Sequence, residues 1–141
     1  MMATIKKFEE IEAWQKARML ASEVFLISSE TALSKDYRFR DQINAAAGSI
    51  MDNIAEGFER GGRIEFINFL TIAKASCAEV RSQLYRLLDR KYIEEEKFAQ
   101  LYKLTEDIGN KLGAWIKYLN ISEYKGTKYK NRDSSTQNTK P

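Results

Sequence analysis

Apolar residues recur every three or four positions in four stretches of the chain, with polar residues between them. Such spacing places the apolar side chains on one face of an α-helix and predicts amphipathic helices. The third stretch is the most regular, since its apolar positions alternate spacings of four and three from Phe66 to Leu87. The four predicted helices cover about residues 9–30, 37–59, 64–88 and 94–120.

The connections between these helices are short and carry helix-end signals. Gly61 and Gly62 can adopt the left-handed conformations that end a helix, and Ser34 or Asp36 can cap the start of the second helix. The only proline is the last residue, Pro141, so no proline interrupts a helix before it. Short links make neighbouring helices antiparallel, and the predicted fold class is all-α, an antiparallel up-down four-helix bundle.

The net charge of +3 is concentrated in the last residues of the chain. Residues 1–121 contain 18 basic and 18 acidic side chains, whereas residues 122–141 contain five and two. This last segment is polar and lacks an apolar period, which predicts a disordered tail after a bundle of residues 1–121. Basic residues with tyrosines between them suit phosphates and bases, and a solvated chain end is the alternative interpretation.

Several classes of site and location are disfavoured by composition. The chain has one cysteine, Cys77, and no histidine, so we predict no disulfide within the chain, no metal site and no cofactor. Cys77 falls on the apolar stripe of the third helix and is expected to be buried. The N-terminal segment lacks a signal-peptide pattern and no window is apolar enough for a membrane span, which favours a cytoplasmic protein without a membrane partner.

One stretch, SIMDNIAEGFERGG at residues 49–62, mixes polar groups with core positions. On a helical projection its polar residues lie beside the core stripe, and the third helix carries a matching flank. We predict that Ser49 approaches Ser76, that Arg60 approaches Glu65, and that Gly57 permits close helix packing. This predicted polar seam contains Gln42, Ser49, Asn53, Glu56, Ser76 and Glu79.

The seam also permits a catalytic interpretation, in which Glu56 and Glu79 act as paired carboxylates and Asn53 as an oxyanion donor. In a hairpin that turns near Gly61, however, the two carboxylates lie roughly 18 Å apart along the helices. We therefore predict no catalytic residues and no enzyme, and a hydrolase using this seam is the least favoured hypothesis.

The order FEEIEAWQKAR, DQINAAAGSIMDNIAEGFERGGRIEFINFLTIAKASCAEVRSQL and KYIEEEKF resembles the bacterial four-helix-bundle family of large-subunit ribosomal RNA intervening-sequence proteins. The resemblance spans about residues 8–120. Related sequences read SIPANIAEG where this chain has Met51 and Asp52. A proline at that position kinks a helix, so the second helix should be straighter here.

The resemblance implies a ring-shaped homopentamer associated with RNA or DNA. The family is also similar in fold to the accessory proteins of diversity-generating retroelements, which makes a reverse transcriptase the alternative partner and a scaffold the alternative function. Second apolar faces on the third and fourth helices fit a subunit interface. The predicted interface residues are Phe69, Ile72, Leu88, Leu104, Ile116 and Tyr118.

Basic residues are the candidates for contact with nucleic acid. We expect four arginines to lie near one end of the bundle, where a ring would repeat them around its axis. With the basic tail they form the predicted nucleic-acid-binding set: Arg38, Arg40, Arg60, Arg63, Lys125, Lys128, Lys130 and Arg132.

Overall fold

The computed structural model describes the backbone of residues 5–133 and the side chains of residues 5–121. Within that range it contains four α-helices and no strand, which confirms the all-α prediction. Two short 3-10 turns precede the first and second helices. The elements are a 3-10 turn Phe8–Glu10, α1 Glu12–Glu30, a 3-10 turn Ala32–Lys35, α2 Tyr37–Glu59, α3 Arg63–Asp89 and α4 Glu95–Asp133.

Each helix packs against two neighbours, and the four helices form a closed square. Consecutive helices pack antiparallel, and α4 returns to pack against α1. The backbones of diagonally opposite helices have no Cα pair within 8 Å in the described part of the chain. This is the predicted up-down bundle.

The core lies where the four apolar stripes meet. It contains Ile43, Ile54, Leu70 and Leu84 without exposed surface, together with Cys77 at 1% exposure. Trp14 and Trp115 are partly buried and pack against its margin. On α4, Thr105 is also fully buried and donates its hydroxyl to the carbonyl of Tyr102 at 2.7 Å. This polar residue is tolerated in the core because a backbone carbonyl of its own helix accepts the hydrogen bond of its hydroxyl.

The link between α2 and α3 is formed by the two predicted glycines, which have different conformations. Gly61 has φ +82°, the left-handed region that favours glycine, whereas Gly62 has φ −105° and caps α3. One turn earlier, Gly57 is buried against α3, and a Cβ atom added to it would lie 2.5 Å from the Cβ of Phe69. The prediction that Gly57 permits close packing is confirmed.

The link between α3 and α4 uses a residue that the sequence analysis did not single out. Lys91 has φ +61°, and the backbone amides of Lys91 and Tyr92 donate to the carbonyls of Leu88 and Leu87. These bonds form a Schellman motif, which normally places glycine at this position.

The fourth helix is longer than predicted. It continues past the expected end near Asn120 to Asp133, twelve residues into the segment for which we expected disorder. An apolar period is not required for helix propagation once a long helix has begun, and this segment has no proline before Pro141. The domain boundary at residue 121 stays a prediction, and residues 134–141 of the predicted tail lie outside the described residues.

The second helix runs without interruption through Met51, the position at which related sequences carry proline. The Met51 side chain is partly buried and packs against the core.

Candidate nucleic-acid interface and polar seam

The polar seam joins α2 and α3 within one chain. The hydroxyls of Ser49 and Ser76 share a hydrogen bond of 2.9 Å, which confirms the predicted approach. The amide nitrogen of Asn53 donates to the carbonyl and the hydroxyl of Ser49, at 2.7 and 2.9 Å. The three groups satisfy one another beside the core, as partly buried polar groups require.

The outer seam residues have separate partners. Gln42 accepts a hydrogen bond from Arg86 at 3.4 Å, and Glu79 accepts one from Gln83 at 3.3 Å. Glu56 pairs with Arg60 at 3.2 Å. The guanidinium of Arg60 also lies 5.1 Å from the ring centroid of Phe69.

Two sequence hypotheses change as a result. The predicted approach of Arg60 to Glu65 produces no ion pair within residues 5–121, and Arg60 pairs instead with Glu56, one turn earlier. The three groups of the hydrolase hypothesis, Asn53, Glu56 and Glu79, each bind a different neighbour. This arrangement suits structural pairing, because a paired-carboxylate site needs both carboxyls on one substrate.

The predicted clustering of four arginines at one end of the bundle is wrong. Arg38 lies in the first turn of α2 and Arg60 directly follows its last residue. At 1.5 Å per residue, the 22 positions between Arg38 and Arg60 span about 33 Å. Arg38 and Arg40 therefore lie at one end of the bundle, and Arg60 and Arg63 lie at the other.

At the first of these ends, arginines serve local structure. Arg40 donates to the carbonyl of Ser34 at 3.0 Å and to the carboxylate of Asp41 at 3.0 Å. Arg86 and Arg90 lie over the ring of Phe39, at 4.2 and 5.1 Å from its centroid.

Asp36 connects the start of α2 to the link between α3 and α4. Its carboxylate accepts hydrogen bonds from the Tyr92 hydroxyl at 2.8 Å and from Arg90 at 2.7 Å. The Tyr92 hydrogen bond, assisted by Arg90, holds the pKa of Asp36 below 3.8, against the opposing effect of burial. The same hydrogen bond raises the pKa of Tyr92. Asp36, one of the two predicted cap candidates with Ser34, occupies the N-cap position of α2, but its carboxylate forms this connection and makes no capping hydrogen bond.

At the opposite end, the basic part of α4 extends beyond the bundle. Phe66, near the start of α3, contacts Trp115 at 5.4 Å between ring centroids, so α4 passes the start of α3 shortly after Trp115. Residues 122–133 then continue the helix by about 18 Å. Four of the predicted binding residues belong to this extension, beside the end that holds Arg60 and Arg63: Lys125, Lys128, Lys130 and Arg132.

Sequence reasoning missed a groove between α3 and α4. A cavity of about 190 Å³ there is lined by Lys74, Cys77, Ala78, Arg81, Gly109 and Asn110. The Cys77 thiol donates to the carbonyl of Thr105 at 3.2 Å, and burial raises its pKa to about 11. The sequence carried only part of the signal: Lys74 and Arg81 are seven residues apart and share a helix face, but the opposing residues of α4 depend on the register of the two helices.

The predicted interface residues are not equally exposed. Ile72 and Tyr118 have 49% and 44% of their surface exposed, whereas Phe69, Leu88, Leu104 and Ile116 are partly buried. The prediction omitted other exposed apolar side chains on α1, chiefly Met19 and Phe25.

The part of the chain with described side chains contains no group of three or more histidine, cysteine, aspartate or glutamate residues that could hold a metal ion. In the same part of the chain, no helix is long and apolar enough to cross a membrane.

In a comparison with known protein families, residues 9–114 match a family described as 23S rRNA-intervening sequence protein. A similar solved structure comes from Bacteroides thetaiotaomicron and is described as a protein of unknown function from the S23 ribosomal protein family. The two chains are 26% identical with a TM-score of 0.68, and the match covers 74% of this chain and 95% of the other. No curated protein matches this chain.

Proposed function

The chain belongs to the 23S rRNA-intervening sequence protein family, and from this we propose that it is a non-enzymatic, oligomeric protein that associates with RNA. The observation that carries the proposal is the basic extension of α4. It adds three lysines and one arginine to the end of the bundle that holds Arg60 and Arg63.

A basic helix that extends past its bundle suits phosphate contact. The extension lies beyond the level at which α3 begins, so a nucleic-acid strand can lie along it. Binding by such a segment depends on release of counterions from the phosphates, and affinity should fall steeply as salt rises. The arginines at the other end, Arg38 and Arg40, are the weaker candidates because Arg40 is held by Ser34 and Asp41.

The test compares the two ends of the bundle. Fluorescence anisotropy with a labelled single-stranded RNA would be measured between low and moderate salt. In one variant Lys125, Lys128 and Lys130 become glutamine; in a matched variant of equal net charge Lys35, Arg38 and Lys91 become glutamine. Loss of three phosphate contacts should reduce the slope of log affinity against log salt by about 2 in the first variant and leave it unchanged in the second. An unchanged slope in the first variant, or equal reductions in both, would contradict this assignment.

A ring-shaped homopentamer is the proposed assembly, and it rests on the family resemblance. The exposed apolar side chains of Ile72 and Tyr118 support a self-association surface on α3 and α4. Light scattering coupled to size exclusion should give five times the chain mass of 16.3 kDa. Replacing both residues with serine should lower that mass, whereas Met19→Ser, at a site 56% exposed on α1, should not. A monomeric parent chain would refute the proposal.

The alternative partner, a reverse transcriptase, and the cytoplasmic location stay predictions from the sequence. No contact or charge arrangement within residues 5–121 favours the reverse transcriptase over RNA.

A further inference from the structure

The groove between α3 and α4 combines a small cavity with two cationic side chains. Cys77 and Gly109 contribute to the cavity wall, and Lys74 and Arg81 line it from α3. A Cβ atom added at Gly109 would meet nothing within 4 Å, so the absence of a side chain there keeps the cavity open. Asn110 adds an amide group from α4.

The two cations have no acidic partner. Neither Lys74 nor Arg81 forms an ion pair within residues 5–121, although Lys16, Lys97 and Lys111 on the α1–α4 face are all paired. The positive charges of Arg81 and Lys74 act on the cavity wall, since both oppose the rise in the pKa of Cys77. Asp107, the acidic residue closest along α4 to the cavity-lining Gly109, pairs with Lys16 of α1 at 3.9 Å, and neither Asp107 nor Glu106 lines the cavity. The cavity therefore has a positive potential and room for an anion.

Aromatic rings continue the groove toward the start of α4. Arg81 lies 5.9 Å from the ring centroid of Tyr102. Tyr85, four residues after Arg81 and 49% exposed, makes T-shaped contacts with the rings of Phe98 and Tyr102, at 4.9 and 6.2 Å between centroids. Its ring is thus held in place by two others while half of its surface faces solvent. A fixed, exposed ring of this kind is what a nucleobase stacks on.

We propose that the α3–α4 groove binds one nucleotide of a single-stranded RNA, with the phosphate between Lys74 and Arg81 and the base on Tyr85. Arg81 and Tyr85 are separated by about 6 Å along the helix axis, which is within the reach of one nucleotide. The proposal rests on the proposed function, because it assigns the RNA a second contact away from the α4 extension. Free phosphate has the same negative charge as the phosphate of a nucleotide and suits the same two cations, but it has no base to stack on Tyr85.

Three variants of the full chain test the parts of this site separately, with anisotropy of a labelled oligouridine as the readout. Lys74→Ala with Arg81→Ala should weaken binding about tenfold or more at low salt and reduce the salt slope by about 1.4. Tyr85→Ala should weaken binding about fivefold or more with the slope unchanged. Gly109→Gln should weaken binding without changing charge, because its side chain fills the cavity. Circular dichroism checks that each variant is folded.

The matched control is Arg18→Ala. Arg18 lies 5.8 Å from the ring centroid of Trp14 on α1, the helix diagonally opposite α3, in a contact like that of Arg81 with Tyr102. It should leave the affinity within twofold of the parent chain. If the groove variants bind RNA as tightly as the control, the groove is not the site and the proposed RNA association stands. If the parent chain itself does not bind RNA, the proposed function fails and this inference fails with it.

A titration distinguishes the RNA nucleotide from free phosphate. Uridine monophosphate and inorganic phosphate would each be added to the isotope-labelled chain. The chemical shifts of the Gly109 backbone amide and of the Tyr85 ring would be followed by NMR. Both ligands should shift Gly109, but only uridine monophosphate should shift Tyr85. Equal effects of the two ligands on Tyr85 would overturn the stacking assignment.

Discussion

Replacing Gly57 with alanine should destabilise the bundle, although alanine is the better helix former. The added Cβ atom would lie 2.5 Å from the Cβ of Phe69 on α3, and 3.2 Å from atoms of the Phe66 and Phe69 rings. Both Cβ atoms are fixed by their backbones, so no side-chain rotation relieves the contact. The helices must separate locally, and overpacking of this kind costs about 1–3 kcal/mol.

The chain provides a matched control for this change. Gly48 lies on the same helix, and a Cβ atom added there would meet nothing within 4 Å. Both substitutions gain the helix propensity of alanine, about 0.8–1.0 kcal/mol. Gly48→Ala should therefore raise the free energy of unfolding by about 1 kcal/mol, and Gly57→Ala should lower it by up to about 2 kcal/mol. The difference between the two variants isolates the packing cost.

Urea unfolding followed by circular dichroism at fixed protein concentration measures both values, because assembly adds a concentration-dependent contribution. The slopes against urea should agree among the parent chain and both variants. Equal stabilisation by the two substitutions would refute the close approach of α2 and α3 at Gly57.

Three further predictions concern single groups. Lys91→Gly should raise the free energy of unfolding by about 0.5–1 kcal/mol in urea titrations, because glycine adopts the positive φ of this position without steric cost; a decrease would contradict this. The folded-state pKa of Asp36 lies below 3.8, so its contribution to stability is present above about pH 4 and is lost as the pH falls through the folded value. The difference in urea midpoint between the parent chain and Asp36→Asn should therefore shrink below pH 4, and a constant difference from pH 6 to 2 would exclude the contribution. Burial raises the pKa of the Cys77 thiol to about 11 from an ordinary 9.0. The thiol should therefore react with an aromatic disulfide at pH 8 at least about tenfold more slowly in the folded chain than in urea, since its lower thiolate fraction is partly offset by higher nucleophilicity, and similar rates would show that the thiol is accessible.

The sequence predicted the helices and their core faces because one physical rule, the burial of an apolar stripe, controls both. The seam contact between Ser49 and Ser76 followed from the same projection, since two stripes that face each other also align their flanks. Gly57 was predictable for the same reason. These features depend on the spacing of apolar and polar residues along each helix, which can be read directly from the sequence.

The arginine prediction failed because closeness in sequence was treated as closeness in space. Arg38 and Arg60 are 22 positions apart along α2 and its C-cap, and this length separates the two ends of the bundle. Two basic residues share one face of a helix when they are one or two turns apart, as Lys74 and Arg81 are. These two residues lie across from a small residue of the next helix, Gly109. Recognising that groove required the register of α3 against α4, which only the structure supplies.

Long-range polar partners were equally beyond the sequence. Sequence position made Asp36 one of two candidate caps, with Ser34, but Arg90 and Tyr92, more than 50 residues away, hold its carboxylate. The end of α4 was missed because the prediction followed the apolar period, whereas backbone hydrogen bonds continue the helix without it.

The closed square of helices also has a consequence for the order of folding. Three of its faces join helices that follow each other in the chain, and only the α1–α4 face joins distant segments. Because loop closure over a short separation costs less entropy, the three hairpins are expected to form first and the α1–α4 face last. During synthesis, α1 has no second neighbour until α4 has been made. Among residues 5–121, three ion pairs cross this final face: Lys16–Asp107, Lys97–Glu23 and Lys111–Glu12.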